Sequence, residues 1–175
     1  DAAPKFAKRV ESELAELAME RTRFEVRLAT SEGEGQWSGA GIDNGELFLS
    51  PNVGEDLRPL ARIVSGGELS RIMLALKTLA ANATSADHQA KTLIFDEVDA
   101  GIGGRVADVV GRKLRALGSA FQVLCITHLP QIAASADTHY AIEKRVERGR
   151  TRTTVRRLDE PARVDELARM LGGEA

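Results

Sequence analysis

The chain has 175 residues, 43% of them hydrophobic and 29% charged, enough apolar material to bury one domain with or without an appendage. A formal net charge of -2 supplies no global field toward nucleic acid or membrane, so any basic surface must be local. A lone cysteine excludes an intrachain disulfide framework, no apolar stretch reaches the roughly 18 residues of a membrane span, and the charges recurring from Asp1 onward do not fit a signal peptide, so a soluble cytoplasmic protein is expected.

Phe6, Val10, Leu14 and Leu17 recur at steps of four, four and three between charged residues, which makes one apolar stripe on a helix. No start signal precedes it, so it is either the end of a longer coiled coil or an ordinary docking helix. At Arg23 the period changes. Phe24, Val26 and Leu28 alternate with Arg23, Glu25 and Arg27, the pattern of a half-buried strand. Residues 31–35 read as a turn, and Gly45 precedes a second short strand over 47–49. Trp37, between them, reads as a packing residue rather than a ligand platform, and Pro51-Asn52-Val53-Gly54 closes the segment as a loop.

Ser65-Gly66-Gly67-Glu68 stands at the amino end of a helical apolar face formed by Ile72, Met73, Leu76 and Leu79. Ser65 can cap this helix while the glycines let backbone N–H groups approach an anion at the positive end of the dipole. The competing reading is a capping box of Ser65 with Glu68, which leaves the paired glycines unexplained.

Leu93, Ile94 and Phe95 form a short apolar run, as expected of a strand buried on both faces of a parallel sheet. The run ends in Asp96 and Glu97, where ligands of open α/β sheets bind. Neighbouring side chains alternate along a strand, so two adjacent acids converge only if the backbone turns there. The glycines downstream of Asp99 are expected to supply that turn. One carboxylate could then hold a magnesium ion, directly or through water, while the other orients an attacking water. The plainer reading is a pair of acids capping the next helix, which is predicted over 105–117 with Val106, Val109, Val110 and Leu114 on one face and Gly118 as its stop.

A second strand over 122–126, with Cys125 as a small buried hydrophobe, ends in Thr127-His128 and puts His128 at the same sheet edge as Asp96 and Glu97. A neutral imidazole there could hydrogen-bond a phosphate oxygen or the attacking water, or it could fix a turn. Strand, helix and strand imply a right-handed parallel crossover. A brief helix over 131–134 follows, then a hairpin of strands 138–147 and 151–158 around Arg148-Gly149-Arg150. Arg148, Arg150 and Arg152 could contact nucleic-acid phosphates, although a basic run of this kind is more often a solvated strand face. Pro161 opens a last helix over 162–171, ending at Gly172-Gly173.

The order of these motifs is more specific than any one of them. Ser-Gly-Gly-Glu, a helix, apolar-Asp-Glu, Asp-x-Gly, a helix and apolar-Thr-His together resemble the carboxyl-terminal half of an ABC-type ATPase head. The segments Ser65-Gly66-Gly67-Glu68-Leu69-Ser70-Arg71-Ile72-Met73-Leu74-Ala75-Leu76-Lys77, Ile94-Phe95-Asp96-Glu97-Val98-Asp99, Cys125-Ile126-Thr127-His128-Leu129-Pro130-Gln131 and Leu167-Ala168-Arg169-Met170-Leu171-Gly172-Gly173 are similar to the RecN family, bacterial SMC-like DNA-repair ATPases. The resemblance covers nearly the whole chain. It implies an α/β fold, the carboxyl-terminal lobe of an ABC/SMC-type head of the P-loop NTPase class, with a mostly parallel sheet flanked by helices. Residues 1–21 would be the end of a coiled-coil arm and 22–175 the lobe.

The resemblance also implies ATP as substrate, Mg²⁺ as cofactor, and a role for each matching residue. Ser65, Gly66, Gly67 and Glu68 match the signature motif, which contacts the γ-phosphate held by an opposing head. Asp96 matches the Walker B aspartate of the magnesium shell, Glu97 the catalytic base, and His128 the switch histidine. Asp99 and Gly101 match the D-loop at the head–head interface. Val64 and Gly103 are small departures from the family pattern. One departure is large: no Gly-x-x-x-x-Gly-Lys-Ser/Thr occurs anywhere in the chain, and Lys77-Thr78 and Lys91-Thr92 lack a glycine loop. The expected partners are therefore an amino-terminal lobe of the same protein bearing Walker A, a second head in a homodimer, and DNA, with no membrane, in the nucleoid-associated cytoplasm of a bacterium. By itself the chain should hydrolyse no ATP. Two rival readings are a fragment of an ABC transporter's nucleotide-binding domain and a non-catalytic DNA-binding module.

Overall fold

The computed structural model describes residues 2–30, 33, 37, 39, 41–52, 54–62, 65–83, 91–147 and 149–172. The chain divides into two compact units, residues 1–87 and 88–175.

In the first unit, helix α1 (Ala2–Glu16) packs on strand β1 (Arg23–Thr30) and on helix α2 (Gly66–Ala83). The stripe expected on α1 is the buried face: Val10, Leu14 and the following Leu17 are fully shielded, while Phe6 at its start stays partly open and meets Phe24 edge-on at 6.1 Å. Ala18 turns the chain out of α1 in the left-handed region (φ 60°), and the Met19 N–H donates to the Leu14 carbonyl at 3.0 Å. Glu11 fixes the neighbouring strand by accepting the Phe24 N–H at 2.9 Å. Strand β2 (Asp43–Ser50) pairs antiparallel with β1 over its whole length, and the short β3 (Arg58–Pro59) adds to its other edge. Gly45 lies inside β2, opposite Leu28, rather than ahead of it. Only the end of this ladder nearest α1 is buried. Phe24 and Leu49 are paired and covered, whereas Leu28 is exposed, so the alternation read from sequence is half realised. Trp37 is about half exposed, which corrects its reading as a packing residue.

In the second unit, strands β4 (Thr92–Phe95) and β5 (Gln122–Cys125) pair in parallel, with Phe95 beside Cys125. Helix α3 (Gly104–Leu117) connects them and packs against β5 and the short helix α4 (Pro130–Ala134). Ala107, Val110, Leu114 and Leu117 are its buried face. Gly111 is required where α3 meets the segment after α4: a Cβ there would lie 2.5 Å from Ser135 Oγ and 3.2 Å from the Gln131 carbonyl. Strands β6 (Tyr140–Glu147) and β7 (Arg150–Arg157) form an antiparallel hairpin, and helix α5 (Glu160–Gly172) closes the chain, with Asp159 accepting the Ala162 N–H at 3.0 Å as an amino-terminal cap. Arg163 ties α5 to the end of α4 by donating to the carbonyls of Ala133, Ala134 and Ala136.

Two expectations change here. The parallel sheet is confined to β4–β5 among the described residues, and the other two sheets are antiparallel. Burial of β4 on both faces also fails: Phe95 is covered, but Ile94 is 68% exposed, and Leu124 and Ile126 are open beside it. Parallel strands are normally covered on both faces, and here the face carrying Ile94, Leu124 and Ile126 is open.

The turn after β4 is made by Glu97 itself, in the left-handed region at φ 56°, with Gly101 adopting φ 73° further along. That conformation costs an L-residue about 1–2 kcal/mol, and glycine offsets up to about 1 kcal/mol of its own advantage through extra freedom in the unfolded chain. Glu97→Gly should therefore raise stability by up to about 1 kcal/mol. The check is the urea midpoint at unchanged m-value; a lower midpoint would show that the Glu97 side chain, not its backbone, holds the turn.

Candidate functional site

The site is built on the shared carboxyl-terminal edge of β4 and β5. Because the strands are parallel and in register, Asp96 and Glu97 leave one strand beside the point where Ile126, Thr127 and His128 leave the other, and the Ile126 N–H still reaches the Phe95 carbonyl at 2.9 Å. Asp96 is exposed, and its Oδ1 accepts the Glu97 N–H at 2.9 Å, which supports the left-handed turn. Glu97 is exposed as well. The Ala100 N–H donates to the Glu97 carbonyl at 3.0 Å, so the loop folds back at once and carries Val98 and Asp99 inward.

Asp99 is the centre of the arrangement. The residue is buried, 4% exposed, and its Oδ2 accepts two hydrogen bonds, from Thr127 Oγ1 at 2.6 Å and from the His128 backbone N–H at 2.9 Å, while His128 Nδ1 lies 3.0 Å from the same oxygen. Thr127 Oγ1 in turn accepts the Leu129 N–H at 3.0 Å, just before Pro130 opens α4. The His128 side chain is 74% exposed, so its ring is anchored from inside and presented outside. The resemblance to ABC-type heads puts Asp99 and Gly101 at an interface between heads. Gly101 is exposed and available to such an interface, but the Asp99 carboxylate is committed within its own unit.

Cys125, at the end of β5, is half-buried rather than fully so. Burial pushes its thiol up to about 12, with Asp99 and Asp96 adding to the shift, so it stays protonated and takes no nucleophilic role. Among the described residues no three His, Cys, Asp or Glu side chains are grouped closely enough to hold a metal. One exposed strand-end carboxylate still fits magnesium, which keeps several waters and takes one or two carboxylates together with substrate phosphates.

The second motif lies in the first unit. Gly66 and Gly67 are the first two residues of α2, and Ser65 caps them, its Oγ accepting the Glu68 N–H at 3.4 Å and its carbonyl the Leu69 N–H at 3.0 Å. Ser65 and Gly66 are exposed, Gly67 is buried and Glu68 half-buried. The capping reading and the anion reading are compatible, since the cap leaves the glycine end of the helix facing solvent. Arg71, one turn on, is buried; desolvation lowers its pKa and Glu68 opposes the shift.

On the hairpin, register puts Arg145 beside Arg152 and Ala141 beside Arg156, with Arg150 on the same face two residues from Arg152. Tyr140, Ile142, Val146 and Val155 share the opposite face, all exposed. Arg145 is paired with Glu143 at 2.8 Å. Arg148, like Val64 and Gly173, lies outside the described residues. Sequence reasoning missed Thr127, which it quoted but gave no role. Its only signal was a hydroxyl between a buried strand and a histidine.

No protein-family profile matches the chain. Curated relatives do. The DNA repair protein RecN of Halalkalibacterium halodurans is 49% identical over 166 residues, 94% of this chain and 28% of the relative. RecN of Treponema pallidum is 46% identical over 97% of the chain and 29% of the relative, and RecN of Bacillus subtilis 42% identical over 98% and 31%. The chain thus spans less than a third of the length of these relatives. Among solved structures, an Smc head domain with a coiled coil and joint from Pyrococcus yayanosii superposes with a TM-score of 0.55 at 22% identity, covering 93% of this chain and 28% of that one. An Smc head domain with an extended coiled coil, bound to the carboxyl-terminal domain of ScpA, from Pyrococcus furiosus gives 0.53 at 20% identity, over 93% and 37%. At such identities these two likenesses speak for the fold alone: a mixed α/β lobe of the SMC head type. With identity above 40% across nearly all of its residues, the chain belongs to the RecN family, as the counterpart of the carboxyl-terminal part of its members.

Proposed function

We propose that this chain is the carboxyl-terminal lobe of a RecN-type ATPase head acting in DNA double-strand break repair, with residues 1–21 the returning end of a coiled-coil arm and 22–175 the lobe. The observation that carries this reading is the convergence of Asp96, Glu97 and His128 at one sheet edge. Glu97, exposed on its own turn, orients the attacking water and takes its proton. His128 turns Nε2 toward the reacting phosphate or water. Asp96 is the residue that would hold Mg²⁺, directly or through water; bound there, the ion supplies neutralisation of charge on the phosphates. Ser65, Gly66, Gly67 and Glu68 form the helix amino end that meets the γ-phosphate on a second head, and the loop of Asp99 and Gly101 lies at the interface between the two.

The phosphate cradle must come from elsewhere, since the 175 residues contain no Walker A sequence. The bare face of β4–β5, with Ile94, Leu124 and Ile126, supports an amino-terminal lobe completing the sheet around the site. The isolated chain is then inactive, and turnover appears when that lobe is added. In the assembled head, Glu97→Gln should slow phosphate release by about 10²–10⁴-fold while leaving ATP-dependent pairing of heads intact. Unchanged turnover would overturn the assignment of Glu97.

DNA is the second partner we propose, on the arginine face of β6–β7. The supporting observation is that Arg145, Arg150, Arg152 and Arg156 share one exposed face. Replacing Arg150 and Arg152 with Gln should weaken DNA binding for all sequences alike and reduce the salt slope of log K by about 1 for each phosphate-binding arginine replaced. An unchanged slope would mean that this face meets solvent rather than DNA.

A further inference from the structure

We propose that Asp99 is a positioning residue that fixes the tautomer and aim of the His128 imidazole, and that it thereby sets what His128 can do in the reaction. The consequence for turnover rests on the ATPase reading above; the tautomer itself does not. A single oxygen makes the anchor. Asp99 Oδ2 accepts the His128 backbone N–H at 2.9 Å and lies 3.0 Å from Nδ1 of the same residue, so main chain and ring meet the same atom. The Thr127 hydroxyl, donating to the same oxygen at 2.6 Å, keeps the carboxylate from turning away. The anchor is shielded while the ring is 74% exposed, so solvent can compete for the outer edge of the imidazole but hardly for the inner one.

A carboxylate oxygen carries negative charge and no proton, so this 3.0 Å approach is favourable with the proton on Nδ1, whereas a bare Nδ1 would set two lone pairs against each other. In neutral histidine that leaves Nε2 without one, opposite to the tautomer that free side chains prefer. The outward nitrogen is therefore an acceptor in the neutral ring and a donor only in the imidazolium. Facing an attacking water, the neutral ring accepts a hydrogen bond from it. Facing a phosphate oxygen, which is itself an acceptor, only the imidazolium makes a bond. The arrangement thus discriminates between two roles that sequence leaves open. Asp99 also stands two residues from Glu97 in one tightly bonded loop, with Ala100 N–H on the Glu97 carbonyl and Ile102 N–H on the Asp99 carbonyl, so it holds the acid and the imidazole as one piece.

The test uses histidine-selective nitrogen NMR on the assembled head, with the His128 resonances identified by their loss in His128→Gln. The expected result is a His128 ring protonated at Nδ1 in the neutral form. Asp99→Asn, which keeps the shape but weakens the acceptor, should shift the population toward the Nε2-protonated tautomer and lower kcat by about 10²-fold, with KM for ATP altered by less than about threefold. Thr127→Val serves as the control: it removes a bond to the same oxygen and costs stability, yet should leave the tautomer in place. A wild-type ring protonated at Nε2, or a tautomer that moves equally in Thr127→Val, would overturn the proposal whatever the protein hydrolyses. If instead the tautomer behaves as expected but turnover survives Glu97→Gln, the tautomer assignment stands and it is the ATPase reading that falls.

Discussion

Past the bond from the Ile126 N–H to the Phe95 carbonyl the parallel ladder stops, and regular sheet hydrogen bonding does not hold the next residues together. What does so is a single carboxylate oxygen on Asp99, which accepts the Thr127 hydroxyl and the His128 amide and lies 3.0 Å from the His128 ring. A buried acid without partners would be costly to keep; one with two donors forms a rigid link between two loops instead. The acids that end one strand and the histidine that ends the other keep fixed relative positions because of it. The site is an extension of strand register by side-chain means.

Strain is stored next to that link. Glu97 occupies the left-handed region without being glycine, supported by the Asp96 side chain behind it and the Ala100 amide ahead. Conformations of this kind persist where the surroundings over-determine them, and they concentrate at functional sites. The result is two adjacent carboxylates that both face solvent, which a straight strand would have sent to opposite sides. A short β4–β5 pair covered on one face is likewise incomplete as a parallel sheet, and its exposed Ile94, Leu124 and Ile126 are the mark of that incompleteness. The bare face is consistent with the proposed amino-terminal lobe, and the chain spans less than a third of the length of the RecN relatives it matches.

Much of this was legible in the residues alone. Periodicity located α1, α2, α3 and α5 and both halves of the hairpin, because apolar spacing follows directly from which side of each element is buried. Motif order identified the family. Less legible was anything decided by contact between segments far apart in sequence. The Asp99–Thr127 bond joins positions 28 apart, and no local pattern distinguishes an aspartate that faces a neighbouring molecule from one that turns inward.

By itself, then, the sequence determined the elements, their order, the family and the identity of the chemical groups, since each of these depends on local spacing and on residue type. Tertiary structure decided which acid is presented and which is buried, which nitrogen of His128 faces out, which face of the sheet is bare and how Arg145, Arg150, Arg152 and Arg156 separate from the hairpin's apolar residues. Those outcomes follow from backbone turns and cross-strand register, which place atoms to within a fraction of an ångström and leave no trace in composition or periodicity.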